Sequence, residues 1–154
     1  MNGYRFVSAA CLVFALCYSA WAGPMPVDGR WQITATIIAT STPQGKIREG
    51  FTKQETWTIT QQGAMATLTT PSGSVQGTFQ DVDPDFPGGA WRFTLETPYA
   101  LGQPNLAARY EAIISWATAN TIKGSSSVTF YGNSGGFWSP IGMESWKFEG
   151  LRMR

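Results

Sequence analysis

Gly29-Arg30-Trp31-Gln32-Ile33-Thr34 opens the first long run in which apolar and polar residues alternate. Trp31, Ile33, Ala35 and Ile37 fall on one side of an extended strand, and Gln32, Thr34 and Thr36 on the other. Successive side chains of a strand point to opposite faces, so one face enters a core and the other meets water. Gly29, just before, can take backbone angles closed to other residues. The last run repeats the form, with Trp146, Phe148 and Gly150 against Lys147 and Glu149. A sheet whose first and last strands are both half-buried has two edges to protect, and pairing them closes it. The strand at Trp31 is therefore expected to pair with the strand at Trp146.

Between these two runs there is no helical periodicity. Short alternating segments are separated by turn residues, which is the pattern of an all-β domain. Strands are expected at 30–40, 53–61, 64–70, 74–81, 90–96, 106–118, 122–131 and 143–152. Short connections favour pairing between sequence neighbours, so an eight-stranded antiparallel up-and-down barrel is the simplest result. A two-sheet sandwich is the alternative. At the turn near Asn120, a three-residue loop places Trp116 opposite Gly124, Ala112 opposite Val128 and Tyr110 opposite Phe130. A two-residue loop would put Lys123 beside Trp116 on the inner face, at a desolvation cost, so the longer loop is preferred. Residues 132–142 read as a glycine-rich loop.

Gly29-x-Trp31 at the start of the first strand resembles the G-x-W of lipocalins and related calycin barrels. The resemblance implies that Trp31 plugs one barrel end beneath an arginine from near the C-terminus, Arg152 or Arg154. Gly29, Trp31, Trp146 and Arg152 are accordingly the expected closure residues. The chain carries no T-D-Y motif and no helix-length tail after the last strand, and avidin-like barrels share the G-x-W start. The motif thus implies a barrel more than a particular ligand.

Residues 1–22 read as a secretory signal peptide. Arg5 supplies the positive charge, residues 6–18 are nearly all apolar, and Ala20-Trp21-Ala22 offers small residues for cleavage before Gly23. The apolar run falls short of the roughly 20 residues of a membrane span, which disfavours a retained anchor. Residues 23–154 then form a single domain in a secreted or periplasmic protein. Cys11 and Cys17 leave with the leader, so no disulfide is expected despite an oxidising compartment. Removing Arg5 leaves equal numbers of basic and acidic side chains, which argues against nucleic acid or an anionic membrane as partner.

Enzyme chemistry is poorly supplied. The chain has no His, and its two Cys lie in the leader. The commonest general base and the thiol nucleophile are missing, and no structural zinc or haem cofactor is expected. Glu55, Glu96, Glu111, Glu144 and Glu149 are expected mostly on outer faces or at strand ends. Asp81-Val82-Asp83-Pro84-Asp85 has the alternate carboxylates of a calcium loop but Phe86 in place of its glycine, so it reads as a solvated acidic turn.

Two candidate regions remain. The inner face carries Trp57, Trp91, Tyr110, Trp116 and Phe130, which either fill the barrel or line a cavity for a flat apolar molecule. Phe137 and Trp138 form either a lid or contact patch, or a cover folded over the barrel end. The cover is favoured because exposed paired aromatics promote association. The expectation is a barrel that binds a small apolar or aromatic ligand without catalysis. A filled barrel that docks on a protein is the alternative. An outer-membrane barrel is third, since it needs an apolar outer belt and a polar interior, the inverse of this pattern.

Overall fold

The computed structural model describes residues 23–41, 49–98 and 100–154. The leader and most of the loop after the first strand lie outside the described residues. The strands are β1 (Gly29–Ser41), β2 (Thr52–Gln62), β3 (Met65–Thr70), β4 (Gly73–Gln80), β5 (Ala90–Thr97), β6 (Leu106–Ala117), β7 (Thr121–Ser134) and β8 (Phe137–Arg152). A 3₁₀ turn, Ala100–Gly102, stands between β5 and β6. Every strand pairs antiparallel with its sequence neighbours and β1 pairs with β8, which makes a closed barrel rather than a sandwich. The seam sets Trp31 opposite Arg152, Ile33 opposite Gly150, Ala35 opposite Phe148 and Ile37 opposite Trp146.

The end at which β1 begins is taken as the lower end, and it is plugged. Residues 23–28 cross beneath the barrel, held by two indoles: Trp31 Nε1 donates to Val27 O at 2.8 Å and Trp91 Nε1 to Met25 O at 2.9 Å. Val27 N–H in turn donates to Gln61 Oε1. Above this plug Ile33, Ile37, Ile59, Trp91, Phe93, Ile114 and Ile122 form one buried cluster with Trp31. Each such side chain contributes about 1.5–3 kcal/mol through removal from water. Small residues let this core close. A Cβ on Gly124 would collide with the backbone carbonyl of Ile113, and one on Gly150 would meet Ile33 and Ile122.

The β6–β7 hairpin differs from expectation. Next to the turn, Trp116 lies opposite Lys123 and Ala117 opposite Ile122, which is the shorter-loop register. A bulge at Ser115 then shifts the ladder, so that Ile114 meets Gly124, Ala112 meets Ser126 and Tyr110 meets Val128. Lys123 avoids the desolvation cost of the inner face through the bulge. One extra residue turns Trp116 and Lys123 outward together and sends Ile122 into the core. Trp116 is consequently 46% exposed on the outer wall, with Lys123 Nζ 5.4 Å from its ring centroid.

Two loops also differ. The glycine-rich stretch is mostly strand: Asn133 pairs with Trp138 and Ser134 with Phe137, leaving Gly135 and Gly136 as the turn, both at positive φ. Polar residues and glycines hid that hairpin because they carry no alternation to read. The acidic turn is not solvated throughout. Asp83 is buried, and its carboxylate accepts from Arg92 Nε and from Asp85 N–H. Arg92 also reaches Glu111 at 3.3 Å. Burial by itself would push the Asp83 carboxyl up. The hydrogen bonds from Asp85 and Arg92 and the charge of Arg92 outweigh it and hold the carboxyl below its ordinary value.

Gly124→Ala is expected to destabilise by about 1–3 kcal/mol or more, read as a lower denaturant midpoint, because backbone rather than a movable side chain stands in the way. The lowered Asp83 carboxyl contributes stability above the ordinary carboxylate range, and that contribution is lost as pH falls through its folded value. Unfolding curves from pH 7 downward should therefore show a shallower acid loss for Asp83→Asn than for the native chain. An equal slope would show that the clamp is not what acid breaks.

Candidate functional site

At the upper end the barrel changes character. Strand alternation and the seam place Lys53 and Glu55 of β2 inward, level with Ala35 and Ile33. Leu95 of β5 pairs with Tyr110 of β6, which pairs with Val128 of β7, which pairs with Glu144 of β8. All four lie on the inward face. Phe51, joined to β1 through Ile37 N–H, sets its ring edge-on to Trp146 at 6.3 Å. Inward side chains of a filled barrel should be dry. Phe51 is instead 54% exposed, Leu95 42% and Tyr110 38%. Solvent therefore reaches the upper lumen from several sides, while Trp57 and Trp146 stay buried.

The polar groups of this lumen are organised. Glu55 Oε1 accepts from Trp57 Nε1 at 2.6 Å, and Glu55 Oε2 pairs with Lys53 Nζ at 3.1 Å. The same ammonium stands 4.8 Å from the Trp146 ring centroid, within the reach of a cation–π contact. Glu144 lies opposite Thr40 on the seam, and Thr40 Oγ1 is buried with no partner among the described residues. Flat aromatic walls with a few fixed polar groups form the usual lining of a small-molecule site. Among the described residues no three His, Cys, Asp or Glu side chains are grouped to hold a metal ion.

The candidate residues distribute unevenly over this geometry. Tyr110 faces the upper lumen, whereas Trp57 pairs with Trp31 and belongs to the buried core, its indole reaching up to Glu55. Trp91 belongs to the lower core, with its indole spent on Met25. Phe130 packs with Ala100, Leu106 and Ala108 in a smaller cluster under the 3₁₀ turn. Trp116 is outside. Phe137, 82% exposed, and Trp138, 46% exposed, stand at and beside the β7–β8 turn, so neither folds back as a cover. Gly29, Trp31 and Arg152 meet at the lower end, where the Arg152 guanidinium lies 4.5 Å from the Trp31 ring centroid. Trp146 sits on the closing strand but belongs to the upper lumen. Lys53, Glu55 and Glu144 were not anticipated there. Their parity with Trp57 and Trp146 was the signal, masked by the expectation that charge faces water.

No protein-family model and no curated protein sequence matches the chain. A solved structure, EF1p2_mFAP2b bound to DFHBI, resembles it with a TM-score of 0.42 and 16% identity, over 82% of this chain and 93% of that one. Neither a family nor a ligand for this chain follows from that likeness.

The lumen geometry predicts an order of stabilities. Glu55→Ala leaves the buried Trp57 indole N–H without its acceptor and should cost about 1–3 kcal/mol. Lys53→Met removes a half-exposed partner and should cost about 0–1 kcal/mol. Denaturant unfolding of the two variants checks this, and the reverse order would show that the Trp57–Glu55 bond contributes little.

Proposed function

We propose that this protein is a secreted or periplasmic, lipocalin-like barrel that binds a small apolar or aromatic molecule in its upper lumen and performs no catalysis on it. The observation that carries the reading is the exposure of Phe51, Leu95 and Tyr110, hydrophobic side chains that face inward yet remain open to solvent. Exposed apolar surface inside a concave, aromatic-walled space is where burying a ligand releases the most water. The outward positions of β1 and β2, Gln32, Thr34, Thr56, Thr58 and Thr60, suit an aqueous compartment rather than a lipid belt. The apolar segment at residues 6–18 supports export.

A neutral fluorescent probe, N-phenyl-1-naphthylamine, tests the site directly. Its emission should rise on mixing with the native protein. Ser126→Trp, which projects a ring into the lumen beside Trp146 and Ala112, should weaken the probe by roughly tenfold or more. Unchanged binding by the variant would put the probe elsewhere and end the lumen reading. For export, the intact mass of protein recovered from its own source should match a chain beginning at Gly23.

A second reading, docking on a protein partner, is favoured by one observation: Phe137 stands 82% exposed at a hairpin tip. Phe137→Ser should then abolish a complex that survives Ser126→Trp.

A further inference from the structure

The outer wall carries a second concavity, separate from the lumen. A cleft of about 510 Å³ lies where β5, β6, β7 and β8 pass their upper ends. Ala107, whose small side chain takes up little of the space, and Pro98 are among its lining residues. Tyr131 and Trp138 bound it. Both project outward, since Tyr131 pairs with Ala107 and with Pro140, and Trp138 with Asn133, two residues further along the same hairpin and so on the same face. Glu96 and Arg109, cross-strand neighbours, line it together with the neighbouring pair Thr97 and Ala108. Among the described residues neither enters an ion pair. The cleft therefore offers one charged acceptor and one charged donor, both unspent, beside an exposed indole.

That set discriminates between ligand classes. An anion such as phosphate would be drawn to Arg109 and repelled by Glu96 at the same distance scale, and an amine the reverse. An added peptide strand needs an open edge. Here the backbone is already paired on both sides, Glu96 with Arg109 and Ala107 with Tyr131. What fits is a neutral molecule that both donates and accepts along one edge and presents a flat apolar face along another. A pyranose ring has this form: each hydroxyl is donor and acceptor at once, and its axial C–H groups make a face that lies against an aromatic ring. The volume is within the range of small-molecule sites and leaves room for more than one ring. We propose that this outer cleft is a saccharide-binding site, with Trp138 as the stacking platform and Glu96 and Arg109 as the hydroxyl-reading pair.

Isothermal calorimetry on the intact protein tests this with maltose, cellobiose, lactose and N,N′-diacetylchitobiose. Each is titrated to about 10 mM, ten times what a millimolar site requires. At least one should bind with a millimolar or lower dissociation constant. Trp138→Ala should weaken it by roughly tenfold or more, while Phe137→Ala, one residue away and outside the cleft, should leave it unchanged. Glu96→Gln and Arg109→Met, both on the exposed wall, should each weaken binding about three- to tenfold, which keeps the test valid if Trp138→Ala lowers stability. Ser126→Trp should have no effect, separating this site from the lumen. Absence of binding by all four sugars overturns the proposal, as does binding indifferent to both Trp138→Ala and Arg109→Met.

Discussion

The contact on which the rest depends is the Arg152 guanidinium over the Trp31 ring, 4.5 Å from its centroid. It joins the first strand to the last at the point where the barrel closes. A partly exposed cation–π contact of this kind contributes about 0.5–1 kcal/mol, but its structural effect is larger than its energy. Arg152 occupies the space where a side chain at Gly29 would stand, and Gly29 takes a φ of 131° that other residues rarely adopt. The glycine, the tryptophan and the arginine therefore constrain one another. With Trp31 fixed, its indole N–H can hold Val27, and the segment across the lower end follows. A dry lower end is thus built from the closure residues outward.

Three irregularities then adjust what closure alone would impose. The ladder shifts between Ile37 and Ala39, between Ile114 and Trp116, and between Phe130 and Tyr131. Each inserts a residue and changes which side chains face inward beyond it. Without the shift at Ser115, the alternation that buries Ile114 would carry Trp116 and Lys123 into the core and leave Ile122 outside. With it, a polar residue beside a tight turn reaches water, and an isoleucine fills the lower core. Bulges of this kind also bend and twist the strands, which a small closed barrel requires.

Much of the architecture was legible in the chain. Gln32, Thr34 and Thr36 set against Trp31, Ile33, Ala35 and Ile37 leave one solution for β1, and Arg92 and Thr94 against Trp91 and Phe93 do the same for β5. Local alternation is a property of neighbours, so local sequence records it. The bulge at Ser115 is different. It is visible only when both sides of the hairpin must be satisfied together, since either register looks acceptable from β6 alone. The hairpin arm from Gly132 to Gly142 was read as a loop because its backbone pairing needs no side-chain pattern. The lumen was half legible: Trp57 and Tyr110 were placed inward by parity, whereas Glu55, on the same parity, was expected on an outer face or at a strand end, and Lys53 beside it was given no face. The expectation for Glu55 rested on a rule about isolated charges. Paired with Lys53 and joined to Trp57, it does not meet that premise.

On the proposed reading, the two ends of the barrel divide the work of stability and recognition. A domain without disulfides among residues 23–154 depends on its core, and that core is concentrated where Trp31, Trp91, Phe93, Ile114 and Ile122 meet. Because the lower end carries this burden, Leu95, Phe51 and Tyr110 can stay open to solvent above it without the chain losing its fold. An apolar ligand entering there would complete a core left unfinished. The ion pair of Lys53 and Glu55 stands between the two regimes. It is low enough for Glu55 to hold the Trp57 indole and high enough for Lys53 to keep contact with water. A hydrophobic pair at those positions would pack more tightly, yet it would extend the dry core upward and remove the polar groups that give a lumen its selectivity. The position of this pair along β2 therefore sets the depth at which packing ends and the open lumen begins.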